Sequence, residues 1–177
     1  MKRKDIKKII IEHFFKNPSS KLRVRNIEKE LDLPLPSIIR YCKELEKEGI
    51  LKKVHTGNVT FYTADNRNDN YLVEKRFFNI KSLYASGLLE FFRNQLSNPV
   101  IIVFGSYALG EDAENSDIDL YIETPSKKKI SLEKYEKILK RKIHLMSFES
   151  MKKVRNKDLA NNILNGIVLN GFVEAVS

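Results

Sequence analysis

The sequence predicts an α+β protein built in two parts, and three observations carry that reading. Apolar residues recur at helical spacing through three successive segments of the first fifty residues, and Gly57-Asn58 then separates two strand-like runs. Further on, the β-branched run Val100–Phe104 and the alternating residues 117–122 read as strands of a short mixed sheet with helices on it. Charge divides the chain in the same way. Residues 1–64 carry 15 Lys and Arg against 8 Asp and Glu, and residues 65–177 carry 17 against 15.

Taken in order, residues 3–16 set Ile6, Ile9, Ile10 and Phe14 on one helical face, and Asn17-Pro18-Ser19-Ser20 closes that helix. A second helix turns Val24, Ile27 and Leu31 inward. Pro34 and Pro36 mark the next turn, and Pro36 suits the first turn of a third helix with Ile38, Cys42 and Leu45 inward. Gly49 stops it. Residues 50–56 and 59–63 form the hairpin strands. The first domain is therefore set at residues 1–64.

The polar, turn-rich residues 65–70 read as a linker, and a helical stretch follows over residues 71–96, with Ser86-Gly87 as its interruption. Residues 65–97 are thus linker and connecting helix. Phe77, Phe78, Phe91 and Phe92 are expected in core or interdomain packing. The second domain, residues 98–177, holds the strands at 100–104 and 117–122. It continues with a helix capped by Ser131 with Leu132, Tyr135, Ile138 and Leu139 inward, a third strand at 142–146 and a last helix over 148–165. Lys127-Lys128-Lys129 reads as a solvated loop that could also help hold a triphosphate.

Several function classes are disfavoured. No apolar run approaches 18 residues, so no membrane span is expected. The basic N-terminus leads into too short an apolar run for a secretory signal. One cysteine, Cys42, allows no internal disulfide and fits the cytoplasm. One cysteine and three scattered histidines give no zinc spacing. The net charge of +9 points to polyanion binding by the first third. By contrast, the interval between Arg93 and Lys127 has no Lys or Arg and holds Glu111, Asp112, Glu114, Asp117, Asp119 and Glu123, which suits cations.

The chemistry concentrates in Gly105-Ser106, ten further residues, and Asp117-Ile118-Asp119. A Gly-Ser turn can leave amides free for an anionic group. Strand alternation puts Asp117, Asp119 and Tyr121 on one face and Ile118, Leu120 and Ile122 on the other. Two carboxylates about 4 Å apart repel by roughly 4 kcal/mol at an effective dielectric near 20. A divalent cation with a preference for oxygen, Mg²⁺ or Mn²⁺, relieves that.

The arrangement of Gly-Ser, spacer and Asp-x-Asp resembles the minimal nucleotidyltransferases of the DNA polymerase β-like superfamily, over residues 83–177 and including the run 162–169. The resemblance implies that Gly105 and Ser106 hold the β- and γ-phosphates of a nucleoside triphosphate, with ATP the favoured one. It implies that Asp117 and Asp119 are metal-binding and catalytic. Active relatives place a third carboxylate on the next strand, where this chain has His144, which can ligate a metal or act as a base. Minimal nucleotidyltransferases often work with a helical HEPN partner protein in toxin–antitoxin pairs. The resemblance therefore makes such a partner, on a separate chain, a candidate acceptor.

Three helices followed by a hairpin resemble a winged helix-turn-helix domain, with residues 37–53 matching its recognition helix and first wing strand. That resemblance implies duplex DNA binding by Ser37, Arg40, Lys43 and Lys47 on the third helix and by Lys52, Lys53, His55 and Asn58 on or near the wing. Two functions stay open at this point. One is a DNA-binding nucleotidyltransferase that transfers a nucleoside monophosphate to an acceptor and releases pyrophosphate. The other is a transcriptional regulator whose second domain senses nucleotide without catalysis. A homodimer is compatible with either.

Overall fold

The computed structural model describes residues 5–174. The chain divides into two compact units, Met1–Phe78 and Asn79–Ser177.

In the first unit three helices, α1 (Ile6–Lys16), α2 (Val24–Leu31) and α3 (Leu35–Lys47), precede an antiparallel hairpin of β1 (Leu51–Thr56) and β2 (Val59–Ala64). Asp5 caps α1 by accepting from the Lys8 amide at 3.1 Å. Pro36 lies in the first turn of α3, where its missing N–H costs no helical bond. Ile10, Phe14, Ile27, Ile38, Cys42 and Leu45 have no exposed surface and make the centre of the core. Burial pushes the Cys42 thiol up to about 12 and keeps it protonated. His13 is buried too, and the loss of hydration lowers its pKa, so it packs as a neutral ring edge-on to Phe14. The hairpin turns at Thr56 and Val59 around Gly57 (φ +58°), and Leu22 adds a single bridge to Tyr62. Residues 65–70 form a turn tied to this unit. The Asp65 amide donates to the Ile50 carbonyl at 3.0 Å, and the Asn70 side chain donates to the Glu48 carbonyl at 3.2 Å.

Helix α4 (Asp69–Ala85) runs from the first unit into the second and stops at Ser86-Gly87, where α5 (Leu88–Gln95) begins. Gly87 takes φ +78°, which breaks the helix there. Phe78, Phe91 and Phe92 pack into cores as expected. Phe77 does not: it is 64% exposed.

The second unit is a four-stranded mixed sheet. Its strands are β3 (Val100–Phe104), β4 (Ile118–Glu123), β5 (Ile143–Phe148) and β6 (Ile167–Asn170), in the order β5-β4-β3-β6. β3 pairs antiparallel with β4 and β6, and β4 pairs parallel with β5. The short helix α6 (Gly105–Leu109) follows β3, and α7 (Glu133–Leu139) supplies the crossover to β5. Alternation gives the sheet two buried faces. Ile118, Leu120 and Ile122 join a core with residues of α4, α5 and α7. Tyr121, Ile102 and Phe104 join a second core under α8 (Lys157–Leu164) and the 3₁₀ turn Met151–Lys153.

Three expectations are corrected here. Ser131 does not cap α7: Leu132 is the N-cap, with no side-chain cap bond, and Ile138 points outward at 52% exposure. Two turns of helix bury only one narrow stripe, which Tyr135 and Leu139 fill with Leu132 just ahead. No single helix spans 148–165. β5 runs on to Phe148, and α8 starts after Asn156, whose side chain accepts from the Leu159 amide. Beyond these corrections, residues 167–170, to which the sequence assigns no element, form β6. The turn into it needs Gly166, where a Cβ would lie 2.6 Å from the Val103 carbonyl oxygen.

Candidate active site

Antiparallel pairing sets Phe104 opposite Asp119, so the first residue after β3, Gly105, arrives beside that carboxylate. Gly105 has φ +69°, and a Cβ there would lie 2.8 Å from Asp119 Oδ2. Both the backbone conformation and the clearance therefore favour glycine, since a Cβ would displace the Asp119 carboxylate. Ser106, half-exposed, is the second residue of α6, and no side chain caps that turn. Tyr107 behind it is buried, and its hydroxyl is pushed well above the ordinary tyrosine range by burial first and then by the charge of Asp112. The phenol is neutral and serves packing.

On the other side of Asp119, the parallel register sets His144 directly opposite. His144 Nδ1 lies 3.1 Å from Asp119 Oδ1. An ionised carboxylate only accepts, so Nδ1 carries the proton in this pair and a neutral ring offers its Nε2 lone pair outward. The His144 side chain is 57% exposed and that of Asp119 is 30% exposed. Ile143 and Leu145 turn to the core, as the alternation predicts. Asp117 stands one residue before β4 and is exposed.

The next acidic residue on this face of β4, Glu123, is committed elsewhere. Its Oε2 accepts from the Tyr121 hydroxyl and the Met151 amide, each at 2.9 Å. The Lys127–Lys129 loop leaves β4 at the Glu123 end, about 13 Å along the strand from Asp119 at 3.3 Å per residue. It therefore starts at the opposite end of the sheet from Gly105 and does not line this site, which corrects the expectation that it could hold triphosphate.

Among the described residues no three His, Cys, Asp or Glu side chains converge as a metal-binding group. At the site Asp119 and His144 meet, with Asp119 Oδ1 engaged by the ring and Oδ2 turned toward Gly105, while Asp117 lies two residues earlier in the chain, outside β4 and exposed. The free Oδ2 of Asp119, with Asp117 near it in the chain, would suit Mg²⁺, which commonly takes one or two carboxylates and completes its shell with phosphate oxygens and water.

In the first unit, Ser37, Arg40, Lys43 and Lys47 follow one another at helical spacing along α3. The latter three are exposed. The Arg40 guanidinium lies 4.3 Å from the Tyr41 ring centroid, and its Nε is 3.6 Å from Glu44. Lys52 and Lys53 alternate across β1. Lys52 reaches Asp65 at 3.2 Å and Lys53 reaches Glu46 at 2.6 Å; that hydrogen bond raises the Lys53 pKa. His55 is exposed and shares a 3.2 Å hydrogen bond with Thr60, and Asn58 sits exposed in the hairpin turn. Two cations escape the sequence reading. Arg25 and Lys29, one turn apart on α2, line a groove with Asn26, Glu28 and Leu35. Their i, i+4 spacing was the available signal.

Comparison with known families matches residues 85–170 to the nucleotidyltransferase domain. The matched segment contains the whole four-stranded sheet and, with it, Gly105, Ser106, Asp117, Asp119 and His144. It supports nucleotidyl transfer as the class of activity. Neither the comparison with curated proteins nor that with solved structures finds a match. Among the described residues no helix is long and apolar enough to cross a membrane.

Proposed function

We propose that this protein is a DNA-binding nucleotidyltransferase that transfers a nucleoside monophosphate from a triphosphate, ATP by preference, to an acceptor hydroxyl. The observation that carries the reading is Asp119 held between Gly105, with no room for a Cβ, and His144 at 3.1 Å. The Gly105-Ser106 turn would bind the distal phosphates through its amides and the Ser106 hydroxyl. Asp117 and Asp119 would hold Mg²⁺, which when bound neutralises triphosphate charge and the departing pyrophosphate. The acceptor oxygen forms a bond to the α-phosphorus, the bond to pyrophosphate breaks, and the acceptor proton passes to His144 Nε2. A protein acceptor, including a HEPN-type partner encoded separately, belongs to this proposal, as does a cytoplasmic setting. Incubation with each α-labelled triphosphate and Mg²⁺, alone and with cell extract, tests it. Label retained on a macromolecule supports transfer, and absence of both transfer and Mg²⁺-dependent binding sinks it.

One observation favours a second reading. The strand next to Asp119 offers an imidazole and no third carboxylate. A regulator that binds nucleotide without catalysis would have this composition. His144 variants separate the two. In the enzyme, His144→Ala is expected to lower transfer about 10²-fold, the low end of general-base contributions, with little change in triphosphate affinity. In a silent sensor, His144→Ala has no turnover to lower, and His144→Asp is expected to tighten Mg²⁺ binding. If neither substitution changes binding or turnover, His144 is outside the working site.

The first unit is read as a winged helix-turn-helix with α3 as its recognition helix and β1–β2 as its wing. If about five phosphates are neutralised, the logarithmic salt slope of duplex binding should be about −4 to −5. Arg40→Ala with Lys43→Ala should flatten the slope by about two. Binding that ignores salt, or that this pair leaves unchanged, would contradict the surface.

A further inference from the structure

Behind the site lies a buried polar cluster that the proposed chemistry does not use. The Asp112 side chain is 1% exposed and that of Arg141 is 12% exposed, with Arg141 Nη2 3.6 Å from Asp112 Oδ2. Asn79, 2% exposed, donates from one nitrogen to Asp112 Oδ1 at 2.7 Å and to the Tyr107 carbonyl at 2.9 Å. Arg141 also donates from Nη1 to the Glu114 carbonyl. Taking these charges out of water is costly, and buried ion pairs of this kind often add little to stability over an apolar cluster of equal volume.

The positions of the bonded groups suggest a further role. The Tyr107 carbonyl belongs to α6, one residue after Ser106. Asp112 and Glu114 belong to the loop that delivers Asp117 and Asp119. Arg141 immediately precedes Lys142, whose carbonyl accepts from the Ile118 amide at 2.8 Å, and lies three residues before His144. One cluster therefore bonds to all three segments that converge on Asp119.

We infer that Asn79, Asp112 and Arg141 are positioning residues that set the Gly105-Ser106 turn, the Asp117–Asp119 loop and the His144 strand in mutual register for nucleotide binding. The inference rests on the nucleotide-binding reading of the site. Through Asn79 the turn cannot shift without moving Asp112, and through Arg141 the loop cannot shift without moving the start of β5. Such support from behind is what a site needs to hold donors within a fraction of an ångström.

The test uses the full chain. Asp112→Asn with Arg141→Met removes both charges together, so neither is left buried alone, and it deletes the grip on the Glu114 carbonyl. Arg141→Lys, which keeps the charge but loses the fork, is the second variant should the first not fold. Leu96→Ala is the control: it perturbs the core of the same unit at the Glu123 end of the sheet, where the Leu96 carbonyl accepts from Thr124. Two quantities are read. Without nucleotide, amide hydrogen exchange over residues 113–119 is expected to quicken about tenfold in the cluster variants and not in the control. Mg²⁺-dependent ATP affinity is expected to fall about tenfold or more in the cluster variants, and by less than threefold in Leu96→Ala at a comparable loss of melting temperature. Unchanged exchange overturns the inference, as does an affinity loss no greater than the control's. Wild-type protein that fails to bind Mg²⁺–ATP overturns the nucleotide reading instead, and the exchange arm then still decides whether the cluster holds the loop.

Discussion

Asp117→Asn combined with Asp119→Asn is expected to abolish Mg²⁺-dependent triphosphate binding and any transfer, with the fold retained. The substitutions keep shape and remove both negative charges from an interval that contains no Lys or Arg to compensate. Asp117 is exposed and the Asp119 side chain is 30% exposed, so neither carboxylate supports the core, and the stability cost should stay near about 0.5 kcal/mol apiece. Charge-assisted contacts are worth roughly 1.5–3 kcal/mol each, so losing two should weaken the Mg²⁺-dependent component about 10²- to 10⁴-fold. Asp119→Asn alone should do more than Asp117→Asn alone, because Asp119 also fixes the His144 tautomer through the 3.1 Å contact. Titration calorimetry with triphosphate at several Mg²⁺ concentrations reads the effect directly. Metal-dependent binding that survives in the double variant would rule out this carboxylate pair as the metal site.

What was legible in the sequence was the part that local chemistry determines. Val100–Phe104, the Gly-Ser turn and the alternation around Asp119 are encoded within neighbouring residues, and the structure brings Gly105 and His144 to Asp119 as that alternation requires. The three helices and the hairpin were legible for the same reason: the stripe of Ile38, Cys42 and Leu45 is fully buried, and Gly57-Asn58 turns the hairpin. The misses depend on distant partners. Residues 167–170 form a strand because β3 offers an edge and Gly166 lets the chain approach, and four residues carry little periodic signal. Ile138 and Phe77 have apolar side chains at helical spacing, yet both stay largely exposed. The Asn79, Asp112 and Arg141 cluster joins residues up to 62 apart and left no mark in the sequence beyond three unremarkable polar residues. Long-range polar pairing has no period, so neither composition nor spacing discloses it.

Gly105→Ala is expected to eliminate nucleotide binding while leaving a folded protein, and comparison with Gly87→Ala isolates the reason. Both glycines lie in the second unit with positive φ, +69° at Gly105 and +78° at Gly87. An alanine at either position should therefore cost about 1 kcal/mol or slightly more in backbone strain. Their surroundings differ. A Cβ at Gly87 meets nothing within 4 Å, whereas at Gly105 it meets Asp119 Oδ2 at 2.8 Å. The colliding atom is the end of a side chain, so the clash is relieved by rotating Asp119 and not by unfolding the sheet. That rotation takes Oδ1 away from His144 and Oδ2 away from the turn, and so dismantles the arrangement on which the proposed chemistry depends. The two variants should melt within a few degrees of each other, and only Gly105→Ala should lose Mg²⁺–triphosphate affinity, by about 10²-fold or more. Equal affinities in the two variants would mean that the approach of Gly105 to Asp119 has no part in binding. An equal loss in both would mean that strain in the unit, and not the contact with Asp119, governs the site.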